Sequence, residues 1–125
     1  MTLKEVIDHV DSLKPNAFTY EHKTRWINEI EGQVQMEVFL FPWDNITQYD
    51  WERNQNTELF VKAPYDSIYD YYLQAAIDFH NGEYDKAQNS IAWFQEKYDA
   101  FRKWYVETYH PADRPCRGGC QCYTG

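Results

Sequence analysis

Cys116, Cys120 and Cys122 form a C-x3-C-x-C group, and thiolates so closely spaced can ligate a metal or form disulfides. The group supplies three sulfur donors where a closed zinc site needs four ligands, with His110 as the available fourth. A structural zinc normally organises a fold around itself, and the residues between these cysteines have almost no apolar content to be organised. These cysteines are the strongest metal candidates in the chain, and the simpler expectation is an oxidisable tail that holds no metal. Histidines His9, His22, His80 and His110 lie one to each expected helix or its edge, without the H-x3-H spacing that puts two histidine ligands on one helix face. Asp50, Glu52, Asn54, Asn56 and Glu58 alternate like the early ligands of a calcium loop. Gln55 then occupies the place of the turn glycine and Val61 that of the bidentate glutamate, so a solvated strand-like edge accounts for the alternation better. Asn45-Ile46-Thr47 matches a glycosylation triplet. There is no Gly-rich phosphate loop, no G-x-S-x-G elbow and no Cys/His nucleophile pair, so neither catalysis nor a cofactor is expected.

The elements around these residues are helical. Thr2-x-x-Glu5 is a capping-box pattern, followed by Leu3, Val6, Val10 and Leu13 at helical spacing, and Lys14-Pro15 ends this first helix. Thr19 caps a second helix with a stripe of Ile27, Ile30, Val34, Val38 and Phe41 beside Trp26. Gly32 weakens it, and Met36 to Leu40 could be extended instead. The helical period is absent between Trp43 and Ala63, and a connection of about 20 residues is long for a compact domain, which points to a hairpin or a functional arm. Its end, Thr57 to Val61, has strand-like content. Pro64 to Asp66 opens a third helix with Ile68, Tyr72, Ala75 and Phe79 on one face, and Gly82 suits the left-handed residue after its end. In the fourth helix Tyr84, Ala87, Ile91, Phe94, Tyr98, Phe101 and Tyr105 alternate steps of three and four. Running from Glu83 to Tyr109 it would span about 40 Å, more than its neighbours could cover. The expected architecture is mainly α: a four-helix domain over residues 1–111 with an extended or β-hairpin-like insertion at about 43–63. Residues 112–125 are expected to be a flexible, Cys-containing tail.

Composition narrows the function. With 43% hydrophobic and 18% aromatic residues the chain can offset the entropy of folding, which excludes general disorder. A net charge of −8 lacks the basic footprint that phosphate binding requires, so sequence-specific nucleic-acid binding is not expected. No apolar run reaches the ~20 residues of a membrane span, and MTLKEVIDHV lacks the layout of a signal peptide, so the expected state is soluble and cytosolic. Five Trp, eleven Tyr and seven Phe exceed what four helices bury in one monomer, and surplus aromatic residues beside charges are typical of interfaces. The candidate contact residues are Trp43, Tyr49, Trp51 and Phe60 on the insertion, with Trp93 and Trp104 on the fourth helix. A dispensable arm predicts that deleting Asp44 to Glu58 leaves the fold intact.

Three stretches carry a resemblance: Leu13 to Gly32, Pro64 to Tyr105, and Tyr109-His110-Pro111. Together they resemble small prophage head–tail connector, or adaptor, proteins of Gram-positive bacteria, of the gp6-like kind. The likeness runs in order over roughly residues 1–111 and rests on packing motifs. It implies a non-enzymatic virion protein, a helical domain with an extended insertion, assembling with copies of itself into a ring between portal and tail components. The location implied is the bacterial host cytoplasm and then the virion neck. The other expectation from the same residues is a helical protein-binding module of prophage origin with a host or regulatory partner. Asn81-Gly82-Glu83-Tyr84-Asp85-Lys86-Ala87 is similar to the turn of a tetratricopeptide repeat, but no second copy follows at the required period.

Overall fold

The computed structural model describes residues 1–108. The expectations for His110, for Cys116, Cys120 and Cys122, and for a flexible tail fall outside the described residues.

Helix α1 spans Leu3–Leu13, and its capping box is formed: Thr2 Oγ1 accepts from the Glu5 amide at 3.2 Å while Glu5 Oε1 accepts from the Thr2 amide at 2.8 Å. Two further first-turn amides, of Leu3 and Lys4, donate to the carbonyls of Thr57 (3.0 Å) and Gln55 (2.9 Å). Helix α2 spans Tyr20–Gln33 behind the Thr19 cap. It does not become extended. It passes directly into a π-helical turn, Val34–Val38, where the Phe39 amide reaches five residues back to the Val34 carbonyl at 3.1 Å. Leu40 then takes a left-handed φ of 62° and the helix stops.

The connection from Trp43 to Ala63 corrects the hairpin expectation. Among the described residues there are no strands; the segment holds a 3-10 turn at Trp43–Asn45, the one-turn helix α3 at Trp51–Asn54, and a single bridge between Thr2 and Glu58. No facing strand supplies a ladder. The segment lies on the body instead, with Tyr49, Leu59 and Val61 buried in the core. Removing Asp44 to Glu58 would strip the body of Tyr49 and of the carbonyls that cap α1, so the insertion is not a dispensable arm.

Helix α4 spans Ser67–His80 and helix α5 spans Tyr84–Thr108. Between them Gly82 has φ 81°, its amide donates to Phe79 at 3.1 Å, and the Glu83 amide donates to Asp78 at 2.8 Å, which is a Schellman closure. The α4 face differs from the expected stripe. Ile68, Tyr69, Leu73 and Ile77 are fully buried, Tyr72 is half-buried, and Phe79 is 56% exposed. The cause is that α4 lies between α1 and α2 on one side and α5 on the other, so its buried surface is wider than one stripe. On α5 Phe94, Tyr98 and Phe101 are buried as expected, whereas Tyr84 and Ile91 are exposed. Towards its end α5 is covered by the residues on either side of the connection: Phe39 packs on Tyr105 at 5.1 Å and Tyr65 on Phe101 at 5.8 Å. The 25-residue helix is therefore covered without a neighbouring subunit for most of its length.

Candidate interaction surface

One face of α2 holds the connection in place. Asn28, Glu31 and Gln35 recur at helical spacing next to the apolar stripe Ile27, Ile30 and Val34. Gln35 grips the backbone of Thr47 at both ends, donating to its carbonyl at 3.0 Å and accepting from its amide at 2.8 Å. Asn28 grips Tyr49 in the same way, at 2.9 Å and 2.8 Å. Two side-chain amides on a helix thus play the part of a neighbouring strand for an extended segment, with residues two apart as the paired positions. Between them lies fully buried Glu31. Its Oε2 accepts from the Tyr49 hydroxyl (2.8 Å) and the Phe60 amide (3.0 Å), and its Oε1 accepts a short hydrogen bond from Tyr69. The Tyr69 hydroxyl in turn accepts from the Val61 amide at 2.9 Å. Burial pushes the Glu31 carboxyl above its usual range, and the three donors oppose that. Burial and the adjacent carboxylate push the Tyr49 and Tyr69 hydroxyls up.

The expected contact residues fall into three groups, one buried, two half-buried and three exposed. Tyr49 is a core residue, 7% exposed and bonded to Glu31, so it is corrected from surface contact to internal anchor. A tyrosine in a polar loop can bury its ring wherever a buried acceptor receives the hydroxyl. Trp51 is half-buried and stacks on Tyr20 at 4.2 Å with the rings 4° from parallel. Phe60 is half-buried against Phe39, edge-on at 5.7 Å. Trp93, beside Tyr71, and Trp104, beside Tyr65, are exposed. Trp43 is 78% exposed, the most open of the large apolar side chains among the described residues.

The chain from the end of α2 to Trp43 is apolar and open, which the sequence pattern did not signal: Met36, Leu40 and Phe41 are exposed as well as Trp43. The π turn and the left-handed Leu40 change the direction of the chain here, which a regular helical stripe could not foretell. A second apolar surface is a groove of about 600 Å³ between α2, α4 and α5, with Trp26, Ala75 and Ala87 in its lining and Phe79, Tyr84 and Ile91 as exposed walls. Trp26 stacks on His80 there at 5.1 Å and 8°. A smaller cleft of about 350 Å³ runs between the connection and the end of α5, lined by Phe39, Phe60, Tyr65, Phe101, Trp104 and Tyr105, among others.

Among the described residues no group of three or more His, Cys, Asp or Glu side chains is arranged to hold a metal, and no helix is long and apolar enough to cross a membrane. The alternating Asp50 to Glu58 series is broken up by α3, with the Asp50 amide bonded to Asn54 Oδ1 at 2.8 Å. His9 and Asp70 approach to 3.4 Å across α1 and α4, and burial raises the Asp70 carboxyl to about 6. No protein-family model matches this chain, and comparisons with curated proteins and with solved structures return no match.

Proposed function

We propose that the protein is a non-enzymatic assembly subunit, and, on the sequence resemblance, a head–tail connector or adaptor of a phage virion that forms a ring with copies of itself between portal and tail. The observation that carries the reading is Trp43, 78% exposed and following the exposed Met36, Leu40 and Phe41 along the chain. Leaving a tryptophan in water forgoes about 2–3 kcal/mol of burial, and such residues are the usual anchors of interfaces. The open stretch after α2 and the groove at the α4–α5 corner are different surfaces of one chain. Contacts that join unlike faces propagate into rings or filaments, unlike the self-complementary contact of a dimer. The bacterial host cytoplasm, and then the virion neck, is the location that goes with this reading.

The test is co-expression with the portal and tail components encoded beside the gene, read by sedimentation. Wild type is expected to enter a large complex. Trp43→Ser is expected to remain a folded monomer with unchanged circular dichroism. A Trp43→Ser chain that assembles normally removes Trp43 from the reading, and flanking genes without portal or tail functions remove the virion. The groove of about 600 Å³ favours a second reading, a protein-binding module with a host or regulatory partner. In that case Ile91→Asp abolishes capture of the partner while Trp43→Ser leaves it unchanged.

A further inference from the structure

The segment Ile46–Asp50 is bound to the body in an unusual way for an internal stretch of chain. Among the described residues, 46–49 make no backbone–backbone hydrogen bond. All their backbone pairing comes from Gln35 at Thr47 and Asn28 at Tyr49. Side-chain burial adds the Tyr49 ring, its hydroxyl on Glu31, and Ile46, whose Cγ2 lies over the α2 backbone at Gly32. Thr47 and Gln48 face solvent. On either side the chain changes direction without tertiary pairing of its own, at the exposed 3-10 turn Trp43–Asn45 and at Asp50, where α3 begins. Among the described residues, the hydrogen bonds tie this segment to α1, α4 and α5 only indirectly, through the Tyr69 hydroxyl that shares Glu31, while the Tyr49 ring belongs to the buried core cluster to which those helices contribute.

We infer that residues Ile46–Asp50 form a strap seated on the Asn28–Glu31–Gln35 face of α2, which leaves and re-enters that seat as one unit while the helical core stays folded. Leaving costs four side-chain to backbone hydrogen bonds, one hydroxyl bond, the burial of the Tyr49 ring and the partial burial of Ile46. It breaks no element of the core and no backbone ladder, so it belongs to the low-energy end of the openings available to the fold. The device bears on assembly because Trp43 stands three residues before Ile46. The seated strap fixes where the tryptophan stands; the free strap releases it. A partner that binds the fixed form draws the population toward the seated state. Only this last use of Trp43 rests on the assembly reading.

Native-state hydrogen exchange at low urea tests the strap without any partner. The amides of Thr47 and Tyr49 are expected to exchange together, at least about tenfold faster than those of Leu73 and Ile77 in α4, and with a weaker urea dependence. Asn28→Ala is expected to speed Tyr49 and Thr47 by the same factor, although Thr47 is bonded to a different side chain. Exchange of both amides at the rate and urea dependence of the α4 amides overturns the inference, because the strap then opens only with the whole molecule. Acceleration of Tyr49 alone also overturns it, because the two ends then open separately. A failed assembly assay leaves these results untouched, and a failed exchange experiment leaves the Trp43 contact standing.

Discussion

Glu31 is a fully buried carboxylate that, among the described residues, takes part in no ion pair, so its desolvation is offset by donors rather than by a cation. Removing it strands two hydroxyls and one amide. Glu31→Ala is therefore expected to lose about 3–5 kcal/mol in urea unfolding, while Glu31→Gln, which keeps the shape and an acceptor, loses markedly less. Asp70 presents the opposite case. Its Oδ1 is buried without a partner, and burial raises the carboxyl to about 6, against the favourable charge of His9. A carboxyl raised in the folded state stabilises the fold below its unfolded pKa and loses that contribution as pH rises from about 4 to 6. Asp70→Asn is thus expected to raise the melting temperature at pH 7.5, by about 1 kcal/mol of stability, and to differ little from wild type at pH 4. Neither role was legible in the sequence, where both residues look like members of a solvated helix face. The cue for Glu31 is that Asn28 and Gln35 flank it on one side of the apolar stripe.

The elements divide in the same way, with a different balance. The two side-chain-capped helix starts and the reversal at Gly82 were readable, because each depends on neighbours within four residues: Thr2 with Glu5, Thr19 with His22, Gly82 with Phe79. The buried face of α4 was not, since it depends on α1, α2 and α5 packing around it. The two glycines that shape helices then make opposite predictions. Gly82 holds φ 81° with open space where a Cβ would stand, so Gly82→Ala is expected to cost about 1 kcal/mol through backbone strain alone. Gly32 is helical, and an added Cβ would meet Ile46 Cγ2 at an ordinary 3.9 Å. Gly32→Ala is expected to gain about 0.5–1 kcal/mol in thermal or urea unfolding. The π turn after it explains why the Phe41 of the expected stripe ends up exposed while Phe39 reaches α5: the wider turn rotates the residues beyond it.

For the whole molecule, charge and apolar surface oppose each other. Copies carrying a net charge of −8 repel, while the exposed Trp43 attracts whatever can cover it. Raising salt from about 50 to 300 mM shortens the screening length and is expected to strengthen any self-association seen by sedimentation velocity. Weakening with salt would instead point to contacts between opposite charges. The helical class was legible in the spacing of the apolar residues, and the abundance of aromatic residues in composition. The fate of each aromatic residue was not, because a ring in a polar segment, like Tyr49, can serve the inside as well as the outside.

The grip of Asn28 and Gln35 on main-chain atoms has an evolutionary consequence. A backbone read by two amides leaves its own side chains largely unread, so Thr47 and Gln48 are free to drift. Constraint falls instead on three positions of one helical face, 28, 31 and 35, and on position 49 of the strap, whose substitutions should be tolerated only in concert. Lineages of this fold should diverge quickly along the strap and slowly beneath it.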